Sequence, residues 1–150
     1  MNQIDNNKLK IFDKNNQKEY SVLLEVQSII NAYLEDGKID LFNSLKNKGI
    51  SFDLDGKFST PFSEQVLKAL LKIKPGEITT YSELAKSINS KAFRAVGGVL
   101  RNNPLPLIIP CHRVIRQDRK LGGFMGHMEE DWQINLKRSL LKIEGNFISN

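Results

Sequence analysis

Residues 80–103, TYSELAKSINSKAFRAVGGVLRNN, hold the pattern on which the fold turns. Thr80 and Glu83 have the spacing of a capping box, in which the hydroxyl accepts from a backbone N–H three residues on and the carboxylate returns a bond. A helix is therefore predicted from Tyr81 to about Ile88. Asn89-Ser90 breaks it, and a second helix from about Lys91 to Arg101 ends at Asn102-Asn103-Pro104. Two short helices joined by a tight turn predict a helix-turn-helix. The second carries Ala92, Ala95, Gly97 and Gly98, and each glycine costs about 1 kcal/mol relative to alanine in a helix interior. Something must offset that cost. Either another helix packs closely on the small face, or a DNA backbone approaches it, with Arg94 and Arg101 seven residues apart on similar sides. Spacing alone leaves both open.

Upstream, Thr60 is placed to cap a helix with Pro61 at its first position, and Phe62, Val66, Leu70 and Ile73 recur at helical spacing until Lys74-Pro75-Gly76. Earlier still, Ile50, Phe52 and Leu54 alternate before Asp55-Gly56, which predicts a strand running into a turn. The boundary between two units is placed there, giving residues 1–58 and 59–150. The first unit also offers a short strand at Leu9-Lys10-Ile11-Phe12 and a helical stripe of Leu23, Val26, Ile30 and Leu34 ending at Gly37. Downstream, residues 104–110 form a proline-bounded apolar run, predicted as a buried extended segment that delivers Cys111. Trp132, Leu136, Leu140 and Ile143 then mark the core face of a last helix, with Gly145 as its C-terminal cap. The fold class expected is α+β, a small N-terminal α/β lobe followed by a mostly helical C-terminal domain.

With 40% hydrophobic and 26% charged residues among 150, the chain reads as an ordinary globular protein rather than a disordered or membrane one. Its 22 basic and 17 acidic residues leave +5, which favours a polyanionic partner or reflects a generally basic proteome. The first ten residues hold no apolar core and no later run approaches membrane-spanning length, so a cytoplasmic protein is expected, nuclear in a eukaryote. One cysteine excludes intrachain disulfides and cysteine-rich zinc sites. Cys111 stands between Pro110 and His112, with Arg113 next. A thiol near imidazole and cations can have its pKa lowered from about 8.5, making a nucleophile at neutral pH. The alternative is a small buried hydrophobe beside a satisfied histidine. Neighbours on a strand point to opposite faces, so contact between the two side chains needs a turn or a bridging water.

The run Ile109-Pro110-Cys111-His112-Arg113-Val114 resembles the active-site signature of the O6-alkylguanine-DNA alkyltransferases. Tyr81, Arg94-Ala95-Val96-Gly97, Asn103-Pro104, Gly122-Gly123-Phe124 and Leu140-Leu141-Lys142-Ile143-Glu144-Gly145 resemble that family's pattern in the same order, from about Pro61 to Gly145. The resemblance implies a reduced RNase H-like first lobe and a winged-helix-like helix-turn-helix. It implies that Cys111 accepts the alkyl group once, that His112 takes its proton through a water, that Glu144 orients the imidazole and that Asn103 braces the turn. It further implies that Tyr81 rotates a phosphate and assists the leaving base, and that Arg94 replaces the flipped nucleotide. Ala92, Ala95, Gly97 and Arg101 would lie along the minor groove, and Val114, Phe124, Met125 and Gly126 would shape the substrate pocket. The implied partner is double-stranded DNA containing O6-alkylguanine, bound by a monomer or cooperatively side by side, with no cofactor, metal or membrane. Met125 departs from the small or hydroxylated residue usual there, as do His127 and the acidic stretch 129–131, which puts pocket size in question. Three other readings remain: a lesion-binding relative without transfer, which typically has tryptophan in place of the cysteine, a winged-helix regulator, and a Cys-His hydrolase.

Overall fold

The computed structural model describes residues 17–52, 54, 58–128 and 131–148. Six helices and one two-stranded parallel pair follow in the order α1 (Gln17–Asp36), α2 (Leu41–Asn47), α3 (Pro61–Leu70), β1 (Thr79–Thr80), α4 (Tyr81–Ser87), α5 (Phe93–Arg101), a 3-10 turn (Cys111–Arg113), β2 (Val114–Ile115) and α6 (Trp132–Ile143). Both capping boxes form. Thr60 accepts from the Ser63 N–H and Thr80 from the Glu83 N–H, each with the return bond. The starts of α3 and α4 are thus set by local hydrogen bonding, whereas the N-cap of α5, Ala92, makes no side-chain bond. β1 pairs with β2 in register Thr79 to Val114 and Thr80 to Ile115, so the strand that ends at the first cap lies beside the segment leaving Cys111.

One core joins both halves, with Tyr33 and Leu41 from the first and Val66, Leu84, Val96, Ile109, Val114 and Leu141 from the second. Gly37, just beyond α1, holds φ +68°, and a Cβ there would lie 2.1 Å from the Ile143 carbonyl oxygen. Only glycine permits this backbone conformation and this approach together. The end of α1 therefore docks against the end of α6. No helix among the described residues is long and apolar enough to cross a membrane.

Several expectations need correction. The described residues of the first lobe contain two helices and no strand, while the strand expected at residues 9–12 and the turn at Asp55-Gly56 lie outside the described residues, so its α/β, RNase H-like character is neither seen nor overturned there. Phe52 does not join a ladder but stacks on Phe42 with ring centroids 5.3 Å apart, and Leu54 packs on the core. Alternation signals burial on one side, which a packed loop satisfies as well as a strand. On α1 the buried position is Tyr33, while Leu34 is exposed. The run 104–110 is not extended. Leu107 takes φ +81° and the Ile109 N–H bonds back to the Leu105 carbonyl at 2.9 Å, so the segment loops on itself.

The buried face of α6 is also turned from the expected one. Gln133, Ile134, Lys137, Leu140 and Leu141 are buried, whereas Trp132 and Leu136 are exposed. Lys137 decides this. Its ammonium has three protons to place, and it donates to the carbonyls of Val114 (2.7 Å), Leu121 (2.7 Å) and Gly123 (3.1 Å). Burial holds its pKa down at about 8, with the Cys111 sulfur opposing that fall.

Candidate active site

Asn103 lies just past the C-cap of α5. Its side-chain amide donates to the Ile109 carbonyl and to Cys111 Sγ, each at 3.0 Å, while its oxygen accepts from the Leu105 N–H at 3.0 Å. One side chain thus closes the loop 103–111 and presents a donor to the thiol. The 3-10 turn then resolves the problem of adjacency. At three residues per turn, successive side chains diverge by roughly 120°, so Cys111 borders a cavity while His112 and Arg113 meet Glu144.

Glu144, the C-cap of α6, is the hub. Its Oε1 accepts from the Tyr33 hydroxyl (2.7 Å), His112 Nε2 (2.9 Å) and Arg113 Nη2 (2.8 Å). Its Oε2 accepts from Arg113 Nε (3.0 Å) and the Gly76 N–H (3.4 Å). Burial alone would raise this carboxyl, but the bonds and charges of His112 and Arg113 hold it down at about 2. An ionised carboxylate only accepts, so the His112 proton sits on Nε2 and Nδ1 keeps its lone pair. Nδ1 is buried and has no hydrogen-bond partner among the described residues. Burial also pushes the His112 pKa down, against the pull of Glu144, which leaves a neutral imidazole with a free base position.

The thiol is not activated in the way the sequence suggested. Burial raises the Cys111 pKa, and the Asn103 bond and the Lys137 charge only offset part of that. Arg113, its neighbour but one in the chain, bonds Glu144 and the Ile73 carbonyl (2.7 Å) instead. Burial thus favours the protonated form of the thiol.

The cavity beside Cys111 has a volume of about 530 Å³ and is bordered by Tyr81, Gly123, Phe124, Met125 and Gly126. The Tyr81 hydroxyl donates to the Gly123 carbonyl at 3.5 Å, and burial together with the Cys111 sulfur pushes its pKa up to about 12. Residues 124–127 form a tight hairpin, closed by reciprocal 2.9 Å bonds between Phe124 and His127, with Met125 at φ +51° and Gly126 at φ +84°. Positive φ at both central positions defines a type I′ turn. Arg94, Gly97 and Arg101 border the same cavity from α5.

Residues 61–146 match the family described as 6-O-methylguanine DNA methyltransferase, DNA binding domain. The chain belongs to this family. Methylated-DNA--protein-cysteine methyltransferase of Haemophilus influenzae is 39% identical over 131 residues, 85% of this chain and 64% of that protein. The chain thus spans just under two thirds of that relative. Among solved structures, Mycobacterium tuberculosis OGT in complex with DNA has a TM-score of 0.62 at 36% identity, covering 81% of this chain and 65% of the other. O6-methylguanine-DNA methyltransferase from Pyrococcus kodakaraensis has a TM-score of 0.60 at 27% identity, covering 90% and 82%.

In this member of the methyltransferase family, the fold brings Cys111, His112, Asn103, Glu144 and Tyr81 into one neighbourhood. Ala92, Arg94, Ala95 and Arg101 are exposed along α5. A Cβ on Gly98 would meet nothing within 4 Å, and on Gly97 only a Tyr81 ring carbon at 4.0 Å. Among the described residues nothing packs on Gly98, and Gly97 faces the Tyr81 ring of α4 only at ordinary contact distance, so neither glycine is required by close helix packing. Val114, expected in the pocket, is fully buried in β2 and is not part of the cavity wall; its carbonyl holds Lys137. His127 approaches Asp131 at 3.8 Å on the loop. Three residues escaped the sequence reading: Tyr33, Arg113 as the partner of Glu144, and Lys137. Only Lys137 left a signal, because it shares a helical face with Ile134 and Leu141.

Proposed function

We propose that the chain repairs DNA by moving an alkyl group from the O6 atom of guanine onto Cys111, without a cofactor. The observation that carries this reading is a thiol bordering a cavity of about 530 Å³, backed by a histidine with a free Nδ1 and opening beside the exposed small residues of α5. A base within a duplex cannot present its O6 substituent to a recessed thiol, so the nucleotide is flipped into the cavity at a cost of a few kcal/mol. Ala92, Ala95, Gly97 and Gly98 give a smooth surface for the minor groove, and Arg101 is placed for a phosphate or sugar.

In the reaction the Cys111 proton passes to His112 Nδ1 through a water, and Glu144 stabilises the imidazolium. The sulfur attacks the alkyl carbon in line, the carbon–oxygen bond breaks with its electron pair going to guanine, and the Tyr81 hydroxyl hands its proton to guanine N3 and is restored by the proton held on His112, so that the net proton passes from Cys111 to the departing base. Tyr81 stays protonated at neutral pH and is suited to donate. The test is incubation with duplex containing O6-methylguanine followed by peptide mass spectrometry. A methyl group on the Cys111 peptide supports the reading; binding without transfer identifies a lesion-binding protein instead.

Arg94, exposed on the first turn of α5 and bordering the cavity, is assigned to the gap left by the flipped nucleotide. Arg94→Ala is expected to slow repair of duplex by about tenfold or more while leaving the reaction with free O6-benzylguanine within about twofold, because the free base needs no extrusion. Rates measured on the two substrates check this, and equal losses would place Arg94 in the pocket or the fold.

A further inference from the structure

The Tyr33 hydroxyl stands in the relay and none of the chemistry above uses it. Tyr33 is fully buried near the end of α1, far in sequence from the cysteine, and its hydroxyl donates at 2.7 Å to the same Glu144 oxygen that accepts from His112 Nε2 at 2.9 Å. Arg113 already fixes the carboxylate, with Nε on both oxygens and Nη2 on Oε1. A fourth group is therefore not required to orient Glu144. Its effect is on charge: a hydrogen bond to Oε1 draws electron density from the atom that must stabilise a protonated His112.

We infer that Tyr33 is a positioning residue through which the N-terminal helix tempers the His112–Glu144 relay, holding the imidazole neutral until a proton is delivered from Cys111. This rests on the proposed role of that relay in activating the thiol. The place of α1 is fixed by Gly37, whose backbone meets the end of α6 so closely that no side chain fits, and the segment Tyr33–Gly37 is tied by a 2.7 Å backbone bond. The hydroxyl is thereby delivered to Glu144 as rigidly as the residues of the 3-10 turn. The other groups facing the relay are accounted for. Arg113 and Lys137 both disfavour a protonated His112, Glu144 favours it, and the Gly76 N–H meets Oε2. The Tyr33 proton is held firmly, since burial and its bond to Glu144 push its pKa well above the ordinary value. Tyr33 therefore acts as a fixed donor and not as a proton carrier.

Removing only the hydroxyl makes the sign testable. In Tyr33→Phe, Oε1 loses a competing donor, the imidazolium is better stabilised, and the fraction of Cys111 present as thiolate at neutral pH rises. The rate of Cys111 modification by iodoacetamide, followed by mass spectrometry across pH, is expected to rise about threefold at pH 7 for a half-unit displacement of the profile to lower pH. The two proteins should converge at high pH, where the thiol ionises in both. A profile unmoved along the pH axis, or moved to higher pH, overturns the inference, whatever happens to thermal stability. A measurement on the unaltered protein serves if the variant does not fold. The Tyr33 hydroxyl proton, protected from exchange by burial, should change its NMR shift as His112 titrates, and a resonance that does not respond overturns the inference. Methyl transfer from O6-methylguanine duplex, measured in parallel, tests the underlying function separately, because iodoacetamide reports thiolate whether or not the protein repairs DNA.

Discussion

Cys111→Ala is expected to lose alkyl transfer completely while binding to O6-methylguanine duplex stays within a few-fold of the original. The loss is total because the sequence contains no other cysteine, and no other side chain at the cavity is a comparable nucleophile. Binding survives because the contacts assigned to DNA come from α5 and the other walls of the cavity, which the substitution leaves unchanged. The fold survives as well. Cys111 is 6% exposed at the edge of the core, so truncation removes one sulfur at a cost of about 1 kcal/mol. Asn103 keeps its bonds to Ile109 and Leu105 when the sulfur is gone. Gel-shift titration and transfer of labelled methyl, measured on the same preparation, check both halves. Transfer retained by the variant would place the acceptor elsewhere.

The second large effect is expected from Glu144→Gln, and it should appear in stability and reactivity together. Among the described residues the carboxylate is the one acidic partner of Arg113 and His112. Replacing it by an amide leaves a guanidinium that is 4% exposed without a counter-charge, a change that typically costs about 3–5 kcal/mol. The pH dependence has a definite sign. The Glu144 pKa is about 2 in the folded chain, against about 4.3 when unfolded, so its contribution is fully present above about pH 4.3 and is lost as pH falls towards 2. That contribution is on the order of 3 kcal/mol. The variant should therefore be less stable at pH 7 yet lose less further stability between pH 5 and pH 2, as urea unfolding at several pH values would record. Reactivity moves as well. Without the carboxylate an imidazolium is poorly stabilised, so the profile for Cys111 modification shifts to higher pH and transfer at pH 7 slows by about tenfold or more. This is the opposite sense to Tyr33→Phe, and the pair of variants separates charge on Glu144 from mere disruption of its surroundings.

Local chemistry made the helix-turn-helix legible in the sequence. Thr80 and Glu83, Thr60 and Pro61, and the Asn89-Ser90 break are short-range signals, and hydrogen bonds within four residues realise them. The nucleophile, its histidine and the distant Glu144 were reachable through the resemblance, since no periodicity brings residues 33 apart together. What escaped depended on the third dimension. Tyr33 reaches Glu144 because α1 docks on α6 through Gly37, a contact that no spacing announces. The loop 104–110 looked extended because prolines commonly bound extended runs, yet Leu107 at φ +81° folds it back. The face of α6 was placed by the apolar spacing of Trp132, Leu136, Leu140 and Ile143, whereas Lys137 turns inward because three carbonyls at 2.7–3.1 Å satisfy it there. The surroundings of the thiol were likewise open in the sequence, where an activated nucleophile and a small buried hydrophobe both remained. Charged neighbours in sequence suggested activation, but burial dominates, and the nearest cation in the chain faces Glu144.

The measurement that bears most directly on irreversible transfer to Cys111 is a titration of the protein with excess duplex carrying radiolabelled O6-methylguanine. The product is a thioether, which offers no carbonyl for water to attack, so a water beside His112 has no route to restore the thiol. Transfer should stop at one methyl group per active protein molecule, with all label recovered in the peptide containing Cys111. Continued turnover beyond that plateau, or label on any other residue, would contradict the account.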